Sequence, residues 1–151
     1  MDDALRLPSC SIGRAMEILG ERWTLLILRE CFYGVRRFSV MQRNLGIARN
    51  ILSARLQLLV RTGILERRRY QDEPERFEYR LTDKGLGLYP AVVAIMRWGD
   101  EHLRDDEAPI ALRHSCGHVA DPVMVCAHCR EELDPHDVTP EPVDLPALSG
   151  R

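Results

Sequence analysis

The sequence predicts a mainly α-helical domain carrying one small β-hairpin, and three observations predict it. Apolar residues recur with helical period in five segments ahead of residue 104. Two short runs, LERRRYQ (65–71) and RFEYRL (76–81), break that period and flank the turn DEPE, with Phe77, Tyr79 and Leu81 alternating toward one face. Only Gly46, Ile47 and Ala48 separate the third helical segment from the fourth, so those two helices must cross steeply as a helix-turn-helix.

Each element has its own signal. SIGRAMEILG sets Ile12, Ala15, Met16 and Leu19 at i, i+3, i+4 and i+7, with Gly20 as its C′ stop. ERWTLLILRECFYG is helical from about Arg22 to Tyr33; it is more apolar, so it is expected at the centre, with Cys31 an inert core thiol. In RRFSVMQRNLG, Ser39 and Gln42 read as a capping box and Gly46 ends the helix. RNILSARLQLLVRTGIL, the fourth helix, gathers Leu52, Leu56, Leu59 and Val60 on one stripe. Gly63 closes it, with Ile64 folding back on Leu59 as in a Schellman cap. LTDKG opens a last long helix capped by Thr82, with Leu88, Val92, Ile95, Met96 and Leu103 as its apolar stripe and Pro90 as a kink or a restart. Four helices, a hairpin and a long helix make a winged helix-turn-helix.

The fourth helix has an unusual polar face. Opposite its leucines lie Asn50, Ser53, Ala54 and Gln57, closed by Arg61, where a solvated helix would carry Glu and Lys pairs. In a winged helix this is the element that enters the major groove, and amides, a hydroxyl and a methyl group match the donors, acceptors and thymine methyl presented there. Arg49 and Arg61 would flank as phosphate or guanine contacts. The hairpin, with Arg67, Arg68, Arg69, Arg76 and Arg80, would follow the backbone.

Charge distribution agrees with that division. Residues 1–104 hold 18 Lys+Arg against 13 Asp+Glu, whereas residues 105–151 hold 3 against 10. Gly34 to Arg80 alone carries 11 arginines against 5 acids, a segment suited to a polyanion. The chain contains no apolar run of membrane-spanning length and no secretory leader pattern at MDDALRLPSC. Together with five cysteines, an odd number that argues against a disulfide framework, this reads as a cytoplasmic protein. Phosphate-cradling glycine motifs and nucleophile arrangements are missing, so no enzyme is expected. Two alternatives remain: a winged helix that binds protein, and a thiol-redox protein built on the CAHC motif at 126–129. Salt dependence separates DNA binding from both, because phosphate contacts release counterions.

The stretch from CSIGRAMEILGERWTLLILRE through the pattern G-I-x-x-N-I-L-x-x-R-L-x-x-L-x-x-x-G-I-L, followed by E-Y-x-L-T-x-x-G and WGDEHL, resembles the HxlR-type transcription regulators, a family within the MarR-like winged-helix group. The match runs from about Cys10 to Leu103, two thirds of the chain. It implies a homodimer that binds double-stranded DNA at an inverted or imperfect repeat and usually represses a nearby gene. It implies dimerisation through the first and last helices, which suits Leu88, Val92, Ile95 and Met96. It also implies that Cys10, whose position matches that of sensing cysteines in some members, answers oxidants or electrophiles. A thiol at a helix N-terminus beside Arg6 and Arg14 has its thiolate favoured; the bland reading is a small residue kept for packing.

The chain is thus expected to comprise a winged-helix domain over 1–104, an acidic Cys/His-containing hairpin module over 105–133 and a disordered proline-rich tail over 134–151. In the module, the runs IALRH and PVMVC would form a β-hairpin. Cys116, Cys126 and Cys129 with His118, or His114 in its place, have the makings of a tetrahedral zinc knuckle. A switchable Cys126–Cys129 dithiol and a metal-free hairpin stand beside that reading. DNA binding itself requires no cofactor.

Overall fold

A computed structural model describes residues 10–107 and 109–141. Its contacts divide the chain into two units, Met1–Leu103 and Arg104–Arg151.

In the first unit α1 (Ser11–Leu19) and α2 (Arg22–Phe32) follow one another with Gly20 between them. Gly20 is the C-cap of α1 in a right-handed conformation, one position earlier than the expected C′, and a Cβ there would stand 2.5 Å from the Met16 carbonyl oxygen. Glu21 caps α2 by accepting the Trp23 backbone N–H at 3.0 Å. The third helix, α3 (Phe38–Leu45), starts one residue before Ser39, so the capping box does not form. The physical reason is tertiary: Arg37 is the extended N-cap, Phe38 packs against the core, and the Arg36 carbonyl is engaged by the Tyr79 N–H at 2.8 Å.

The turn into α4 (Arg49–Arg61) is made by Gly46 in the left-handed conformation (φ 62°), with Ile47 buried beneath it. At the other end of α4, Gly63 (φ 73°) donates to the Val60 carbonyl at 3.1 Å, and Ile64 to that of Leu59 at 2.9 Å. This is the expected Schellman closure. Strands β1 (Leu65–Gln71) and β2 (Arg76–Leu81) pair antiparallel from Leu65↔Leu81 to Gln71↔Arg76, with an irregularity between Arg69 and Gln71. Thr82 caps the short α5 (Asp83–Leu86), its Oγ accepting the Gly85 N–H at 3.2 Å. Pro90 then stands in the first turn of α6 (Tyr89–His102), so it marks a restart and not a kink.

The core is built from Ile27, Leu28, Met41, Leu52, Leu56, Leu59 and Leu65, all fully buried, with Cys31, Ile47 and Ile64 around them. Each such side chain contributes about 1.5–3 kcal/mol of transfer free energy. From α6 only Val93 is buried; Leu88, Val92 and Met96 are half-buried, and Ile95 is exposed. The expected stripe is therefore one that this chain leaves partly open.

The second unit has no buried residue among those described. IALRH and PVMVC do not pair with each other. Each instead folds back on the residues that follow it, giving two consecutive bridged turns with partners Arg113↔Val119 and Val125↔Glu132. The left-handed residues Gly117 (φ 92°) and Arg130 (φ 67°) allow these reversals. Asp134 makes a further turn, accepting the His136 N–H at 2.8 Å; of the expected tail, residues 142–151 lie outside the described residues. No helix among the described residues is long and apolar enough to cross a membrane.

Candidate nucleic-acid interface

Burial of Leu52, Leu56 and Leu59 turns the opposite face of α4 outward. Asn50, Ala54 and Gln57 are exposed and Ser53 is half-buried, its Oγ accepting from Gln57 Nε2 at 3.4 Å. At the helix start the Arg49 guanidinium lies 5.4 Å from the Phe38 ring centre, and at the far end Arg61 is exposed. Between α4 and the hairpin runs an open cleft of about 400 Å³ lined by Ser53, Gln57, Val60, Arg61, Arg67 and Tyr79. The face thus offers a hydroxyl, amides and a methyl group at its centre and guanidinium groups at its edges, as a base-reading surface requires.

The hairpin arginines are not equivalent. Arg67 sits 3.6 Å over the Phe77 ring, held flat against the wing. Arg69 pairs with Asp72 at 3.2 Å and Glu75 at 2.7 Å, acids of the wing's own turn. Arg68 faces Glu78 across the strands, but the Glu78 carboxylate is held by Arg80 at 2.6 Å. Among the described residues, Arg61, Arg68 and Arg76 have no ion-pair partner and present free cations.

Sequence reasoning missed three residues that build this surface. Tyr79 lines the cleft and couples the wing to the Arg36 segment. Arg55 reaches Glu21, the α2 cap, at 3.8 Å and so ties α4 to α2. Glu30, 4% exposed, accepts from Asn44 Nδ2 and from Arg29 Nη2, each at 2.8 Å, fastening α2 to the end of α3. Its signal was a lone carboxylate within an apolar run.

The cysteines fall into separate environments. Cys10 is the half-buried N-cap residue of α1; Arg6 lies outside the described residues. Cys31 is buried, and desolvation, reinforced by the Glu30 charge, pushes its thiol up to about 12, as an inert core cysteine requires. In the second unit Cys116 Sγ lies 3.8 Å from His118 Nδ1, while the Cys116 backbone N–H donates to His114 Nδ1 at 3.3 Å. Cys126 is lowered from the ordinary thiol value by hydrogen bonds from the backbone N–H groups of Cys129 and His128 and from the Cys129 side chain. The candidate ligands thus form two pairs, and no three of them converge on one point among the described residues.

A helix-turn-helix with a paired wing, and a polar, uncharged face on its second helix, make a DNA-binding fold, and the proteins that share it with this chain are transcription regulators. The chain belongs to the HxlR-like helix-turn-helix family, whose match spans residues 18–107. It is 57% identical over 134 residues, 87% of this chain and 85% of the other, to an uncharacterized HTH-type transcriptional regulator of Mycobacterium bovis. A second HTH-type regulator, from Synechocystis, is 33% identical over 68% of this chain and 77% of its own. Among solved structures, PA1607, a transcription-factor candidate, superimposes with a TM-score of 0.80 at 36% identity, covering 88% of this chain and 94% of that one. The redox regulator HypR in its oxidized form gives 0.59 at 28% identity, covering 64% of this chain and all of that one. A MarR-family regulator from Enterococcus faecalis gives 0.55 at 30%, covering 68% of this chain and 90% of that one. These relatives are named as transcriptional regulators or transcription factors.

Proposed function

We propose that the protein is a homodimeric repressor that binds an inverted or imperfect repeat, with α4 in the major groove and the β1–β2 wing along the phosphate backbone. The observation that carries this reading is the exposed face of Asn50, Ser53, Ala54 and Gln57, bounded by the unpaired cations Arg61, Arg68 and Arg76. Its support for a dimer is the apolar surface left open on α1 and α6: Ile12, Met16, Ile95 and Trp98 are 71%, 46%, 54% and 55% exposed. A second copy would cover a surface of that kind. Half-site spacing then follows from the dimer, near one turn of the double helix or a multiple of it.

The test is fluorescence anisotropy with duplex DNA from upstream of the protein's own gene and a scrambled duplex, across a salt series. Preference for the native duplex, weakening steeply with salt, is expected. Equal, salt-insensitive binding to both would overturn the reading in favour of a protein partner. Responsiveness to oxidants rests on Cys10 at the α1 N-cap and on the likeness to HypR. A Cys10→Ser protein that still releases its operator on treatment with a quinone or peroxide would exclude Cys10 as the sensor.

A further inference from the structure

Residues 104–141 pose a physical problem: the unit holds defined turns and no buried residue among those described. Ile110, Val119, Val123, Met124 and Leu133 are all about half exposed or more. A segment this short with no apolar core does not hold a fold by burial and requires a cross-link of another kind.

The two bridged turns are built alike. In the first, the His114 N–H donates to the His118 carbonyl at 2.9 Å, and Gly117, in the left-handed conformation, follows Cys116. In the second, the Cys126 N–H donates to the Glu131 carbonyl at 2.9 Å, and Arg130, also left-handed, follows Cys129. For a residue other than glycine that conformation costs on the order of 1 kcal/mol and persists where its surroundings impose it. Each turn carries two soft donors at its tip. Cys116 Sγ and His118 Nδ1 are 3.8 Å apart, against about 3.6 Å for a sulfur and a nitrogen bound to one tetrahedral zinc. Cys126 and Cys129 share the second turn in C-x-x-C spacing, and the Arg130 N–H closes that turn on the Cys126 carbonyl at 2.8 Å.

We infer that Cys116, His118, Cys126 and Cys129 bind a single Zn2+ in a closed tetrahedral site that draws the two turns together and holds the C-terminal module in shape. Three thiols and an imidazole are soft and borderline donors, which suit zinc and not calcium or magnesium. Binding releases the thiol protons, Zn2+ replacing one H+ on each of three sulfurs, so affinity rises with pH until the thiols are deprotonated. His118, not His114, completes the set, because His114 Nδ1 is taken by the Cys116 backbone N–H within its own turn. With all four positions filled by protein the site is structural and leaves no place for substrate. The module is acidic, with 10 Asp+Glu against 3 Lys+Arg over residues 105–151, so it is a scaffold and not a nucleic-acid finger.

The test uses the full chain without an affinity tag, purified without chelator, with metal measured by inductively coupled plasma mass spectrometry and free thiols by Ellman's reagent. About one zinc per chain is expected, retained by Cys10→Ser and His114→Ala and lost, or weakened at least tenfold, in Cys129→Ser and His118→Ala. Replacing zinc with Co2+ should give the visible absorption of a tetrahedral ion with sulfur charge-transfer bands. Circular dichroism of the helical domain, unchanged in these variants, guards against global misfolding. Protein that holds no zinc and takes none up after reduction overturns the inference. So does a Cys126–Cys129 disulfide that persists in zinc-replete protein, or zinc retained in full by Cys129→Ser. Loss with His114→Ala but not His118→Ala overturns the ligand assignment.

Discussion

Leu56 and Val123 are both aliphatic residues, in segments of defined structure, yet Leu56 is fully buried and Val123 is 55% exposed. The winged-helix unit orders itself by taking apolar side chains from α2, α3, α4, α6 and β1 out of water. The C-terminal module orders its turns through backbone hydrogen bonds and left-handed residues, with no buried residue among those described. The comparison explains how the two parts are distributed among relatives. A match over 87% of the chain, as with the M. bovis regulator, extends past Leu103 into the module, whereas the 64% covered by HypR can be contained in the winged helix alone. A domain stabilised by its own core can exist with or without such an attachment.

Truncating an aliphatic side chain in each unit should separate the two most widely. Leu56→Ala should cost about 2–5 kcal/mol, while Val123→Ala should change stability by no more than about 0.5 kcal/mol, both read from urea unfolding by circular dichroism. A large loss at Val123 would mean that the module has a packed interior after all. Next in size is the buried carboxylate. Glu30→Ala strips Asn44 and Arg29 of their partner and should cost about 2–3 kcal/mol. Asp134→Ala, which removes a hydrogen-bonded but exposed carboxylate, should leave the unfolding midpoint unchanged in the same assay.

On DNA, Gln57→Ala should lose about 1–3 kcal/mol of discrimination at a single base pair and little at others. Arg68→Ala should weaken all duplexes alike and lower the salt slope by about one unit. Arg69→Ala should do less than Arg68→Ala, because Asp72 and Glu75 already neutralise it. If the two arginine variants behave identically, the wing's ion pairs open on binding. The smallest effect is chemical. In metal-free, reduced protein, iodoacetamide should label Cys126 at lower pH than an ordinary thiol, since its lowered pKa brings the thiolate in earlier. Cys31, held near 12 and buried, should stay unlabelled until the protein unfolds. Peptide mapping across pH checks the order, and early labelling of Cys31 would show that the core opens.

Much of the winged helix was legible because its signals are local. Both strands are found at 65–71 and 76–81, where their alternation ended, and Gly46 and Gly63 stop their helices where helix chemistry demands a left-handed residue. Legibility failed where a distant partner decided the outcome. Ser39 lost its capping role to Arg37 because the wing holds Arg36. In the C-terminal module the spacing of cysteines and histidines was plain, but IALRH and PVMVC pair with their own downstream residues, a choice between near-equal short runs that composition does not make.

The order of the elements, the leucine stripe of α4 and the uncharged face opposite it can all be read along the chain, because periodicity and turn chemistry act over a few residues. Which arginines remain free, that Val93 is the buried residue of α6, and that Glu30 meets Asn44 across 14 positions cannot be read that way. Those outcomes are set by the packed fold, because burial and ion pairing depend on what it brings alongside, and side chains far apart in the chain compete for the same partners.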